Sequence, residues 1–192
     1  MAKIGIDLNE VLRAFIEQLE YTYNKYEIGE KLDIKEHPVT DFNLIEHFPI
    51  SGGIDALNKF MYEDAPLEIF GHADEMYENL INRLNLFNLT TTDDEEHELW
   101  IVSREALNSI PATLFFLCKT GCKVPNIKFF TKYEHFWDDF DVIITANPKI
   151  IEVKPENKIV IKIKSSYNSN IECEYEFETL FEIMDGDILN KI

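Results

Sequence analysis

The chain has 192 residues, 45% hydrophobic and 12% aromatic, which suits one domain, or one core carrying an insertion, and excludes a disordered chain. Its 18 Lys and Arg face 36 Asp and Glu, a formal net charge of −18. That field repels phosphate backbones and anionic lipid, so direct nucleic-acid binding and membrane association are not expected; a basic protein partner or a local cationic pocket stays open.

Residues 3–8 (KIGIDL) form a short apolar run ending at a carboxylate, the pattern of a buried parallel strand. Apolar positions near the helical period then predict a helix over 11–26. Residues 29–92 are richer in turn signals, among them His37-Pro38, Phe48-Pro49, Gly52-Gly53 and Ala65-Pro66, with helices expected at 54–62 and 72–85. The stretch 90–98 (TTTDDEEHE) reads as a solvated polar loop rather than an acidic metal cage. Residues 99–102 (LWIV) are a second buried strand, ending at Ser103. A helix over 106–120 follows, stopped by Gly121. Strands are expected at 126–130 (NIKFF) and 141–145 (DVIIT). Residues 158–164 (KIVIKIK) read as a strand with one wet face near a sheet edge. Strands alternating with helices imply βαβ units, a parallel sheet and a ligand site at the C-terminal strand ends. No repeat is visible.

Cys118, Cys122 and Cys173 cannot all pair internally. The opening MAKIGIDLN reads as a core strand rather than a leader, no run reaches the roughly 18 apolar residues of a membrane span, and a reducing cytoplasm is the expected compartment. Cys118 and Cys122 stand four apart, but no second Cys/His pair lies nearby, so buried helix-end thiols are favoured over zinc.

The residues that follow the strands are Asp7-Leu8-Asn9, then Ser103, then Lys132 beyond NIKFFT, then Thr145-Ala146-Asn147-Pro148. An Asp after strand one, a hydroxyl after strand two and a Lys before the last strand resemble the haloacid dehalogenase (HAD) superfamily. Order and spacing resemble its 5′(3′)-deoxyribonucleotidase-like branch. There IGIDLNEVLRAF stands for a DxDGVLADF opening, LWIVSREA for an IVTARP segment and DVIITANPKII for a DVLIDDNP segment; Tyr167-Asn168 matches a Tyr-Asn pair after a strand. The resemblance implies an α/β, Rossmann-like core over residues 1–16 and 91–192, its parallel sheet flanked by helices, with a small helical cap inserted at 17–90.

It also implies roles. Asp7 takes the position of the nucleophile that forms an aspartyl-phosphate. Ser103 and Lys132 (Lys128 in a less favoured register) take those of the groups holding phosphoryl oxygens, and Phe15 that of an aromatic lining the nucleoside pocket. Each has a plainer structural reading: a strand-end turn for Asp7, a helix N-cap for Ser103, a surface lysine for Lys132, core packing for Phe15.

The departures from the pattern carry as much weight. Asn9 replaces the general acid/base Asp, and an amide cannot shuttle a proton at neutral pH. Thr145 and Ala146 stand where one or two magnesium-binding Asp belong. Arg104 sits one position before the family's Arg, and Ala14 replaces an Asp. Asp7, with Asn9 and Thr145 as neutral oxygens, is what remains of the metal set. Asp141 is at the wrong end of its strand, and Glu10 points past the pocket.

A catalytically degenerate protein is therefore expected, without a cofactor, acting by binding a basic protein surface or a nucleotide. The alternative is an active or weakly active magnesium-dependent nucleotide phosphatase working through Asp7. A third reading is a nucleotide sensor using Ser103, Lys132 and Phe15 as phosphate and base contacts without turnover; Arg104 is a further candidate substrate-binding residue.

Overall fold

The structure, a computed structural model, describes residues 2–93, 97–106, 108–186 and 188–189. Strands β1 (Ala2–Asp7), β2 (His97–Arg104), β3 (Ile127–Phe130), β4 (Val142–Thr145), β5 (Ile159–Ile163) and β6 (Tyr175–Phe177) form one parallel sheet, in the order β3-β2-β1-β4-β5-β6. The expected α/β, Rossmann-like architecture is present. β1 lies between β2 and β4, with Asp7 level with Val102 and Ile6 level with Ile144. The strand-end residues are thereby brought to one rim.

Residue alternation explains how both faces are filled. Ile4, Ile6, Leu99, Ile101, Val142, Ile144, Ile161 and Ile163 point into the larger core. It is closed by α1 (Phe15–Lys25), α4 (Leu80–Asp93), α5 (Ser109–Lys119) and α8 (Leu180–Asp185). Val102, Ile143 and Val160 point the other way, against Phe136 and Trp137 of α6 (Phe136–Asp139) and Ile150 of α7 (Pro148–Glu152). Gly5 is bare on that second face because a Cβ there would come within 3.2 Å of Val102 and 3.4 Å of Phe140.

Several elements differ from expectation, each for a local reason. The first helix begins at Phe15 rather than residue 11. Residues 8–13 are a tight turn in which the Leu8 carbonyl accepts from the amides of Leu12 and Arg13, both at 2.9 Å. Glu10 adopts a left-handed φ of 58°, and its side chain accepts from Ile16 N at 2.9 Å, capping α1. The 54–62 helix ends at Lys59 as α3 (Gly53–Lys59) and widens into a π-helical turn, Phe60–Asp64, followed by a second, Leu67–Gly71.

Residues 72–79 are not helical. The Asp74 carbonyl accepts from Ala14 N, and Met76 N donates to the Leu12 carbonyl, each at 3.0 Å. Asn79 has φ 64°, and the Glu75 carboxylate caps α4 by accepting from Ile81 N at 2.8 Å. The polar stretch at 90–98 is not a single loop, because α4 runs to Asp93 and β2 begins at His97; the part at 94–96 lies outside the described residues. Among those residues, the segment between β1 and β2, which also holds α2 (Leu44–His47), contains helices and turns but no strand beyond isolated bridges.

The helix expected at 106–120 starts at Ser109, and Gly121 follows it at φ 72°, as a C-terminal glycine should. Cys118 is exposed rather than buried, Cys122 is half-buried, and all three cysteines are free. The wet-face reading of residues 158–164 also fails. β6 covers β5, Lys162 is 2% exposed, and its ammonium pairs with Glu176 at 2.7 Å. Asn168 is buried beyond β5, donating to the carbonyls of Ala146 (2.8 Å) and Ile163 (2.9 Å). No helix among the described residues is long and apolar enough to cross a membrane.

Candidate functional site

A cavity of about 160 Å³ opens at the C-terminal rim of the sheet. Asp7, Asn9, Phe15, Arg104, Tyr133 and Asn147 line its sheet side; Phe42, Leu44, Ile54, Met61, Tyr62, Asn43 and Asn58 line the side formed by the insertion.

Asp7 ends β1 and is 3% exposed. Its carboxylate accepts from Leu8 N at 2.9 Å and from the Thr145 hydroxyl at 2.7 Å. The Thr145 oxygen also accepts from Asn147 N at 3.0 Å, so its single hydrogen is committed to Asp7. Burial pushes the Asp7 carboxyl up to about 7, against the lowering pull of those hydrogen bonds and of Arg13. Near neutral pH the group is therefore divided between its protonated and ionised forms.

Beneath the cavity floor lies a polar network that sequence reading did not anticipate. Arg13 and Glu105 form an ion pair at 3.2 Å with both side chains wholly buried. The five N–H donors of Arg13 make five hydrogen bonds. Nε and Nη2 donate to Asn9 Oδ1 at 2.9 and 2.6 Å. Nη1 donates to the Phe70 carbonyl at 3.2 Å and Thr113 Oγ1 at 2.9 Å, and Nη2 also to Glu105. The Glu105 carboxylate accepts in addition from Ser103 at 3.0 Å, Thr113 at 2.7 Å and Ser109. Phe70 and Phe116 flank the guanidinium, with ring centroids 5.0 and 5.6 Å away. A polar network this deep is stable only when complete, and this one is. The signals in the sequence are a lone Arg inside the apolar run VLRAF and a Glu directly after Ser-Arg at a strand end.

Asp7, Asn9, Thr145, Phe15, Ser103 and Arg104 thus gather at one rim. Ser103, 1% exposed, spends its hydroxyl on Glu105 and is not among the cavity-lining residues. Lys132 is exposed and outside the lining as well. Lys128 pairs with Asp139 at 2.7 Å on the surface. Phe15 serves both wall and core, stacked on Phe70 at 5.5 Å. The basic group the cavity does have is Arg104. Its guanidinium lies 5.2 Å from the Tyr133 ring and 6.0 Å from the Tyr62 ring, and Nη1 donates to the Tyr62 hydroxyl at 3.3 Å. Burial pushes that phenol up to about 12, so it stays neutral.

These residues do not fit Mg²⁺. The ion needs near-octahedral oxygen donors anchored by carboxylates. Here the Asn9 carbonyl oxygen already accepts two bonds from a cation, and the Thr145 hydroxyl points its hydrogen at Asp7. Glu105 is saturated below the floor, and no group of three or more His, Cys, Asp or Glu among the described residues is arranged to hold a metal.

No protein-family model matches the chain, and no curated protein matches its sequence. Solved structures match its fold over nearly the whole length. A HAD hydrolase of family IA, variant 3, from Entamoeba histolytica is 16% identical with a TM-score of 0.59, covering 96% of this chain and 98% of its own. A protein from Burkholderia xenovorans described as a haloacid dehalogenase-like hydrolase is 11% identical with a TM-score of 0.60, covering 99% and 98%. A dehalogenase solved as an intermediate complex is 10% identical with a TM-score of 0.53, covering 96% of each chain. The chain therefore has the fold of HAD hydrolases.

Proposed function

We propose that this chain is a catalytically degenerate HAD-fold protein, related to the 5′(3′)-deoxyribonucleotidase-like branch, that works by binding in the rim cavity rather than by turnover. Residues 17–90 act as its cap, and it operates without Mg²⁺ in a reducing cytoplasm. The observation that carries the reading is the double hydrogen bond from Arg13 to Asn9 Oδ1. At the position where the resemblance calls for a proton-shuttling carboxylate stands an amide locked by a buried cation. Such a residue neither gives up a proton nor ligates a metal. Asp7 keeps a nucleophile's place, but the charge that would screen a phosphate ester beside it is confined to Arg104.

The test is phosphate release from several nucleoside monophosphates with millimolar Mg²⁺, wild type beside Asp7→Asn. Equal background rates are expected. Wild-type turnover that disappears in Asp7→Asn overturns the proposal in favour of a magnesium-dependent phosphatase.

A further inference from the structure

On the sheet side of the cavity the groups beside Arg104 offer donors, whereas Asp7 and, on the insertion side, Asn43, whose NH₂ donates to Glu46, offer oxygens. Asn9 has its carbonyl oxygen bound by Arg13, and Asn147 has its own bound by Lys149 N at 2.9 Å. Both partners can only donate, so the amide orientation is fixed, and each residue is left with its NH₂ group to offer. Arg104 adds a guanidinium held between two tyrosine rings with, among the described residues, a single hydrogen bond to protein, Nη1 to Tyr62. The chain's other two arginines are paired with carboxylates, Arg13 with Glu105 and Arg83 with Asp185. Arg104 has no carboxylate partner among the described residues, in a chain with 36 acidic side chains. Among the described residues, an arginine without a carboxylate partner beside amide N–H groups without an acceptor offers an anion its donors, and a planar fork matches a planar carboxylate with two parallel bonds.

Size and charge narrow the anion. About 160 Å³ falls below the roughly 300 Å³ at which clefts begin to hold drug-sized ligands, and is close to the ~150 Å³ cavity that accepts benzene. The walls beside the donors are Phe15, Phe42, Leu44 and Met61. A phosphate dianion would set two charges against one guanidinium, next to Asp7 and with no lysine in the lining.

We propose that this cavity is a metal-independent receptor for small monocarboxylates with a ring-sized apolar body, the carboxylate seated on Arg104 and the amides of Asn9 and Asn147. The proposal rests on the binding reading above and adds its ligand class.

Titration calorimetry with benzoate and with phenyl phosphate, in EDTA, tests it. Benzoate is expected to bind and phenyl phosphate to bind more weakly. Arg104→Lys should weaken benzoate on the order of 10- to 100-fold, the scale of charge-assisted hydrogen bonds. Asn147→Asp keeps a good helix cap but places a carboxylate among the donors, and should abolish binding while circular dichroism stays unchanged. No benzoate binding to the wild type, equal affinity in Arg104→Lys, or a preference for phenyl phosphate each overturns the carboxylate inference and leaves the binding reading standing. Hydrolysis of phenyl phosphate with Mg²⁺, lost in Asp7→Asn, overturns the binding reading itself.

Discussion

Glu105→Gln tests whether the buried pair beneath the cavity is as dry as its geometry implies. Gln keeps the shape of Glu and one carbonyl oxygen for Arg13, Ser103 and Thr113. It removes the charge that balances the guanidinium and turns an NH₂ toward the Ser109 hydroxyl, which can accept it only by turning its own hydrogen to the Ala106 carbonyl, 2.8 Å away. Both partners of this pair have side chains 0% exposed, so water cannot fill the gap. Removing one partner of such a pair costs about 3–5 kcal/mol, a large share of the roughly 5–15 kcal/mol that holds a domain together. At about 2–4 °C per kcal/mol for a chain of this size, Tm should fall by roughly 6–20 °C. Urea unfolding followed by circular dichroism reads the change directly, with Asp64→Asn, which breaks the exposed Lys59–Asp64 pair, as a control expected to move the midpoint little. A Glu105→Gln midpoint no lower than that control's would refute the reasoning, because the pair would then be hydrated in solution.

Asn9→Asp alone should leave phosphate release at background, since the new carboxylate meets Arg13 and forms an ion pair instead of a free acid; a phosphate-release assay showing turnover in that single variant would contradict this. Stability should fall as pH rises from 5 to 7.5. Asp7 goes from 3.8 unfolded to about 7 folded, and Glu10 from 4.5 to about 7, so across that window the native state holds protons that the unfolded chain has released. Asp7 accounts for roughly 2–3 kcal/mol of this, and urea midpoints measured across that range in Asp7→Asn should show a flatter profile than wild type. Glu176→Gln, which strips the partner from the buried Lys162 ammonium, should lower Tm more than the Asp64→Asn control, and adding Lys162→Met should restore part of the loss.

The parts of the fold legible in the sequence are those decided by burial on both sides. KIGID, LWIV and DVIIT are near-continuous apolar runs because helices cover both faces of their strands. β6 was hidden by its composition, as Glu-rich CEYEFE resembles a surface strip until Glu176 is seen to answer Lys162. Residues 72–79 carry a helical period in Ala73, Met76 and Tyr77 that chain pairing with Leu12 and Ala14 overrides. In the candidate site, a linear reading finds Asp7, Asn9, Thr145 and Arg104 because each sits at a strand end. It gives no place to Arg13 or Glu105: charged residues are expected outside, and only the three-dimensional meeting of the β1 turn, the β2 end and α5 provides each with a partner.

The amide of Asn168 has a wider meaning than its position suggests. By binding the carbonyls of Ala146 and Ile163, it ties the ends of β4 and β5 with neutral hydrogen bonds alone. The contour of the rim is thus upheld in part by a residue outside the cavity lining, alongside Thr145, whose hydroxyl joins Asp7 to the Asn147 amide. Contour and chemistry are only partly separable here: positions 145 and 146 are themselves wholly buried, so an acid placed there needs a partner as well as a purpose. A redesign of the floor is therefore read for folding and for ligand binding together, with Asn168 left in place to hold the strand ends.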